Sequence, residues 1–172
     1  MSKRAISLII PHMELIKLAK KHVIIHENQK NRFGYFIIKG AARSFYLQNG
    51  VEVNTWFAFE GEVVGSLRNY NNLPSRETVQ MLEDSLLISF NMNEIKNLMT
   101  DHIEISNFIN PTIGDYAAYL EDKLYYTHLK SAKDRFNYLM TEKPEIFLRI
   151  PLTYIASYLG ISRETLSRLR SK

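Results

Sequence analysis

A chain of 172 residues, 45% apolar and 23% charged, has the composition of an ordinary globular protein that can bury roughly 70% of its unfolded surface. The absence of cysteine excludes a disulfide framework and a cysteine-based zinc site, and no apolar run approaches the ~20 residues of a membrane span, so a cytoplasmic protein without a membrane partner is expected. The net charge of +4 is uneven: residues 1–128 hold 13 bases and 14 acids, residues 129–172 hold 9 bases and 4 acids, and the basic last quarter suits either a polyanionic partner or a solvated tail.

Ser7 to Ile10 is a short apolar stretch closed by Pro11, without the small-residue site of a cleaved leader. From His22 to Phe90 the residues are largely β-branched and aromatic with little helical periodicity. Strands are expected at His22–His26, Phe33–Lys39, Ala41–Leu47, Val51–Phe59, Glu77–Leu82 and Leu86–Phe90. Asn49-Gly50 tolerates the positive φ of a type I′ turn and should join two of them as a hairpin. On the returning strand Val51, Val53, Thr55, Phe57 and Phe59 alternate with Glu52, Asn54, Trp56 and Ala58, so one face should be buried and the other mixed.

After Asn91 the period lengthens to about 3.6. A short helix is expected after Asn93, with Ile95, Leu98 and Met99 on one side. Asn110-Pro111 reads as an N-cap followed by proline in the first turn, opening a long helix with the stripe Ile113, Tyr116, Leu120, Leu124 and Thr127. That stripe suits packing on the β half or, weakened by Gly114 and Thr127, a two-stranded dimer seam. Ser131 and Asp134 form a capping pair for a further helix, with Ala132, Phe136, Leu139 and Met140 on one face, that Pro144 stops.

Residues 151–170 carry the most specific pattern. Pro151 stands at a first helical position, and Leu152, Ile155, Ala156 and Leu159 fall within about 100° of one another. Gly160 can end that helix in the left-handed conformation, Ser162 is a good N-cap, and a second helix should run from Arg163 with Leu166 and Leu169 facing the first. Ala156 and Gly160 let the two helices cross closely while Ile161 and the leucines fill the space between them. Glu164, Ser167, Arg168 and Ser171 then face outward, with Arg163 on the flank. An arginine fork can bond guanine O6 and N7, and a glutamate can accept from cytosine N4. Ser162 and the first-turn amides suit a phosphate. A plain αα-hairpin with a solvated face is the alternative, but it does not require Ala, Gly and the leucines at these joint spacings.

The run Ile150-Pro-Leu-Thr-Tyr-Ile-Ala-Ser-Tyr-Leu-Gly-Ile-Ser-Arg-Glu-Thr-Leu-Ser-Arg-Leu-Arg170 resembles the DNA-binding end of the Crp/Fnr family of transcription regulators, especially the short members common in Bacteroidetes. Tyr35-Phe-Ile-Ile-Lys-Gly40 is similar to that family's Tyr-x-Ile-x-x-Gly signature, and Glu60-Gly-Glu-Val-Val-Gly65 to the approach to its phosphate cassette. The resemblance, over about residues 15–172, implies an α+β fold. Its parts would be an N-terminal β-roll sensor of the cyclic-nucleotide-binding, jelly-roll type (1–102), a long dimerisation helix (103–129) and a C-terminal helix-turn-helix (130–172). It implies base contacts from Arg163, Glu164 and Arg168 and a phosphate contact from Ser162, with Ser167, Arg170 and Lys172 as further DNA-contacting candidates. The implied partners are double-stranded DNA, a second copy of the chain, a small-molecule effector in the roll, and RNA polymerase. No catalytic residue and no cofactor are implied.

The pattern departs from the family's at the effector pocket, where the candidates are Gly65, Ser66, Ser75, Arg76 and Thr78. Nucleotide-binding members use a Gly-Glu pair for the ribose and an Arg for the cyclic phosphate. Here Ser66 replaces the Glu, Ser75 replaces the Arg, and Arg76 is one residue off, which on a strand turns its side chain to the opposite face. Losing a charge-assisted bond to a buried phosphate costs about 1.5–3 kcal/mol, so tight binding of cyclic AMP or cyclic GMP is not expected. The sequence stops at Lys172, where many members add a β-wing, so strongly salt-dependent DNA binding is expected. His12, His22, His26, His102 and His128 are scattered and no metal site is expected. No nucleophile elbow, Walker loop or dinucleotide glycine pattern is present. Two other classes compete: a small-ligand-binding β-roll protein whose degenerate helix-turn-helix serves protein contacts alone, and a metal-dependent cupin-like enzyme.

Overall fold

The computed structural model describes residues 1–129 and 131–171, apart from the side chains of 126–129. The fold is α+β. Helix α1 (Lys3–Ile9), capped by Ser2, leads through a short 3-10 turn into β1 (Met13–Leu18). Then follow β2 (Val23–Ile25), β3 (Phe33–Lys39), β4 (Ala42–Gln48), β5 (Val51–Ala58), β6 (Val63–Val64), helix α2 (Leu67–Tyr70), β7 (Thr78–Met81) and β8 (Ser85–Asn91). They form two four-stranded antiparallel sheets, ordered β1-β8-β3-β6 and β2-β7-β4-β5. The expected strands all form within a few residues of their predicted ends. Alternation did not reveal β1, whose side chains are largely exposed and so lack contrast, or the two-residue β6.

The β4–β5 hairpin turns at Asn49 (φ 53°) and Gly50 (φ 80°), the positive pair that Asn-Gly accommodates. Between β3 and β4, Gly40 has φ 119°, and a Cβ there would meet Ser85 Oγ at 2.1 Å, so glycine is required. The sheets enclose Tyr35, Ile37, Trp56, Val64, Val79, Met81 and Leu87. Strand β5 differs from the expected half-buried pattern, because both of its faces are covered in its second half. Trp56 and Ala58 point into the roll, whereas Phe57 and Phe59 join a separate core with the C-terminal helices.

Helix α3 (Met92–Asp101) is capped by Asn91, and its Ile95, Leu98 and Met99 pack with Ala5 and Ile9 of α1. Helix α4 (Ile103–Leu129) corrects the expected start at Asn110-Pro111, because Pro111 lies inside it. The earlier start follows from packing: Ile105 and Ile109 belong to the α1–α3 cluster, and that burial outweighs the hydrogen bond Pro111 cannot donate. The predicted stripe on α4 also divides. Ile113, Tyr116, Tyr119 and Lys123 are half-buried, whereas Leu120 (37% exposed) and Leu124 (60%) lie outside that line. The side chain of Thr127 falls outside the described residues.

Helix α5 (Ala132–Glu142) opens with the reciprocal Ser131–Asp134 capping box, and Phe136 and Leu139 face inward, but Met140 is exposed. After Pro144 come α6 (Ile146–Arg149), α7 (Leu152–Leu159) and α8 (Arg163–Arg170). Their core of Ile146, Ile150, Ile155, Ala156, Leu159 and Leu166 is continuous with Ala41, Phe57 and Phe59 of the roll.

Candidate nucleic-acid interface and roll interior

The α7–α8 turn is built by local chemistry. Gly160 takes φ 64° and ψ 38° and closes α7, the Ile161 N–H bonds the Ala156 carbonyl at 3.0 Å, and Ser162 Oγ accepts from the Thr165 N–H at 3.1 Å. Leu166 is fully buried (0% exposed), which fixes the rotation of α8. Ser162, Arg163, Glu164, Ser167, Arg168 and Arg170 are therefore all exposed, on the faces away from that buried leucine. Lys172 lies outside the described residues. The first turn of α8 is partly self-satisfied: besides the Ser162 cap, the amide of Glu164 and the Ser162 hydroxyl hold the Glu164 carboxyl below its ordinary range. Arg168 leans on Thr165, with Nη2 to Oγ1 at 3.3 Å.

Three other cations of the basic quarter, Arg135, Lys143 and Arg149, do other work. Arg149 donates to Glu60 through two nitrogens, at 2.7 and 2.9 Å, and also pairs with Glu83, while Lys143 bonds Glu62 at 2.6 Å. Arg135 Nε donates to the Leu159 carbonyl at 3.1 Å. Lys143 and Arg149 thus attach the C-terminal helices to the roll, a role that charge counting cannot distinguish from a polyanion-binding surface.

The Glu60 carboxyl is lowered to about 2, first by the hydrogen bonds from Arg149, which burial opposes, and to a lesser degree by the Gly40 amide. A carboxyl depressed in the folded state favours folding above its unfolded value, near 4.5, and loses that contribution as pH falls toward about 2. Protection of the α5–α8 segment from proteolysis by an acid-tolerant protease should therefore weaken across that window. Arg149→Gln should flatten the dependence and leave the segment less protected at neutral pH. Because both side chains are well exposed, the effect is screened by salt.

Docking is completed on the outer face of β4 and β5. Arg43 is 2% exposed, with its guanidinium 4.1 Å from the Phe45 ring centroid and 4.0 Å from that of Tyr154 of α7. It donates to Gln80, Glu52 and Asn54. Ser157 bridges α7 to the sheet, its Oγ donating to the Glu52 carbonyl at 2.9 Å and accepting from the Asn54 N–H at 3.1 Å. Tyr158 packs on Phe57, and Lys123 of α4 donates to the Thr55 carbonyl. Burial raises the Tyr119 and Tyr158 hydroxyls and lowers the Lys123 ammonium, the last opposed by the Glu77 charge.

The five expected pocket residues fall in different local settings. Ser66 caps α2, Thr78 Oγ1 accepts from the Glu27 N–H, and Ser75, 1% exposed, is closed on itself, its Oγ donating to the Glu77 carbonyl and accepting from the Glu77 N–H. Arg76 is exposed and Gly65 partly buried. Beside them the half-buried Glu77 reaches toward the core, its Oε2 accepting from Ser44 Oγ at 2.7 Å and Trp56 Nε1 at 3.0 Å. Arg76 and Glu77 lie in the bend that precedes β7, where strand alternation does not set their directions; the hydrogen bonds from Ser44 and Trp56 hold Glu77. Its charge is felt by Tyr116 of α4, whose hydroxyl is pushed up to about 12, first by burial and then by Glu77. The Trp56 indole, 7% exposed, is part of the core between the sheets.

Among the described residues no three His, Asp or Glu side chains are grouped to hold a metal ion, and no helix is long and apolar enough to cross a membrane. His12 pairs with Glu94 at 2.5 Å; His22 and His26 are exposed. The side chain of His128 is outside the described residues.

The sequence profile of the cyclic nucleotide-binding domain matches residues 15–102. No curated protein matches the chain. Among solved structures, FixK2 from Bradyrhizobium japonicum is 20% identical, with 92% of this chain and 83% of that one covered and a TM-score of 0.81. The c-di-GMP-responsive global regulator CLP from Xanthomonas campestris is 16% identical, covering 99% and 90% with a TM-score of 0.75. The catabolite activator protein of Thermus thermophilus is 16% identical, covering 99% and 83% with a TM-score of 0.61. At these identities the likeness is one of fold.

Proposed function

Because the chain belongs to the cyclic nucleotide-binding domain family, we propose that it is a Crp/Fnr-type transcription regulator that reads specific DNA sequences through α8. In this reading residues 1–102 form the sensor, 103–129 the dimerisation helix and 130–172 the DNA-binding unit. The observation that carries it is the outward face of α8: Arg163, Glu164, Ser167 and Arg168 are exposed over a fully buried Leu166, while Lys143 and Arg149 are engaged elsewhere. A helix so presented can enter a major groove, with Arg163, Glu164 and Arg168 toward base edges and Ser162 and Arg170 toward phosphates. The exposed Leu120 and Leu124 of α4 support pairing of two copies, which would present two recognition helices about 34 Å apart to successive grooves. Equilibrium binding to genomic fragments over a salt series tests this. Selective binding to particular fragments that steepens as salt falls is expected; equal, weak binding to all of them would leave the two-helix unit to protein contacts.

The effector of the roll is something other than cyclic AMP or cyclic GMP. Glu77 would repel the phosphate and Trp56 fills the core, while Arg76 is turned to solvent. Calorimetric titration with cyclic AMP should give no saturable heat at micromolar concentrations. A low-micromolar Kd would overturn this part of the reading.

A further inference from the structure

A second concavity lies outside the roll interior, where the β2–β3 connection, α2 and the start of α3 meet. Its volume is about 390 Å³, within the range of small-molecule sites, and its lining includes Lys30, Arg32, Phe33, Asn69, Asn72 and Asn93. Hydrogen bonds hold its walls. Asn69 donates to the Gln29 carbonyl at 3.1 Å and the Leu73 carbonyl at 2.9 Å, tying α2 to the β2–β3 connection. Asn31, also on the wall, donates to the Ile24 carbonyl at 2.8 Å and accepts from the Phe33 N–H at 2.9 Å.

The rim, in contrast, has unused donors. The side chains of Lys30, Asn72 and Asn93 make no hydrogen bond or ion pair among the described residues, and Arg32 makes only a stacking contact, 5.3 Å from the Phe33 ring centroid. Among the described residues no carboxylate lines the concavity. Two cations without counter-ions and neutral amide donors, gathered in one ligand-sized hollow, complement a doubly charged oxyanion with a polar organic part. The amino end of α3, where Asn93 sits, adds a field of the same sign.

We infer that this hollow binds a small phosphate monoester. The inference is independent of the DNA-reading proposal, since none of these residues lies in α5–α8. A small molecule fits better than a nucleic acid backbone, because these residues line one ligand-sized concavity whose walls are set by Asn31 and Asn69.

Calorimetric titration of the full chain with inorganic phosphate, glucose 6-phosphate and 5′-AMP tests the inference, with glucose as the uncharged control. At least one ester should bind saturably and glucose should not. Lys30→Ala and Arg32→Ala should each weaken binding about tenfold or more, as expected for loss of a charge-assisted contact. Asn93→Asp, which places a carboxylate on the rim, should do the same, while Arg32→Lys retains part of the affinity. All three positions lie outside the apolar cores, so thermal melting should be unchanged. Failure of every phosphate probe to bind, or binding that the substitutions do not alter, would overturn the inference. So would a loss confined to duplex DNA affinity in the Lys30 and Arg32 variants, or co-sedimentation with phosphatidic acid vesicles in place of binding to the free esters.

Discussion

Arg168→Ala is expected to reduce discrimination between a specific site and unrelated DNA by about tenfold to a hundredfold, with little change in the affinity for unrelated DNA. A bidentate arginine–guanine pair contributes roughly 1–3 kcal/mol of discrimination, whereas binding without sequence preference rests on phosphate contacts that other cations supply. The asymmetry follows from the placement of Arg168. Its side chain leaves α8 on the exposed face, steadied by Thr165, and nothing in the core depends on it. Thermal stability should therefore be that of the parent protein, and competition binding at several salt concentrations separates the two effects. Arg170→Ala, next to the helix end, should instead weaken binding to all sequences and reduce the salt dependence by about one counter-ion. If Arg168→Ala behaves like Arg170→Ala, the assignment of Arg168 to a base edge fails.

Arg43→Ala should produce the largest loss of stability, about 2–4 kcal/mol in urea denaturation. Truncation removes a guanidinium from between the Phe45 and Tyr154 rings and leaves Gln80 and Asn54 without their donor. The loss stays below that of stranding a fully buried charge, because the Glu52 side chain is 41% exposed and can be hydrated. Arg43→Lys should not restore the parent stability, since an ammonium can neither stack between two rings nor form the fork to Gln80. Because Tyr154 belongs to α7, the same substitution should loosen the C-terminal helices from the sheet, visible as faster proteolysis there.

These expectations show what kind of information the sequence carries. Features set by neighbours in the chain were legible: the Asn49-Gly50 turn, the Ser131–Asp134 box, the left-handed Gly160 and the Ser162 cap each depend on residues within a few positions. Features set by distant partners were not. Nothing near Arg149 in the sequence announces Glu60 or Glu83, and nothing near Tyr154 announces Arg43. The start of α4 was misplaced for the same reason, since the local signal of Asn110-Pro111 is strong and the burial of Ile105 against α1 and α3 is a tertiary fact. In the roll, Arg76 and Glu77 lie in a bend before β7, and what holds Glu77 is a pair of distant donors, Ser44 and Trp56.

The central claim is that α8 reads base sequence on behalf of a paired molecule. Selection from a pool of randomised duplexes by the full-length protein tests it most directly. The account predicts enrichment of a near-palindromic sequence whose half-sites are centred about one helical turn apart, and predicts that Arg163→Ala and Arg168→Ala degrade the preference at defined positions within each half-site. A selected pool with no shared sequence, from protein shown to be folded, would contradict it.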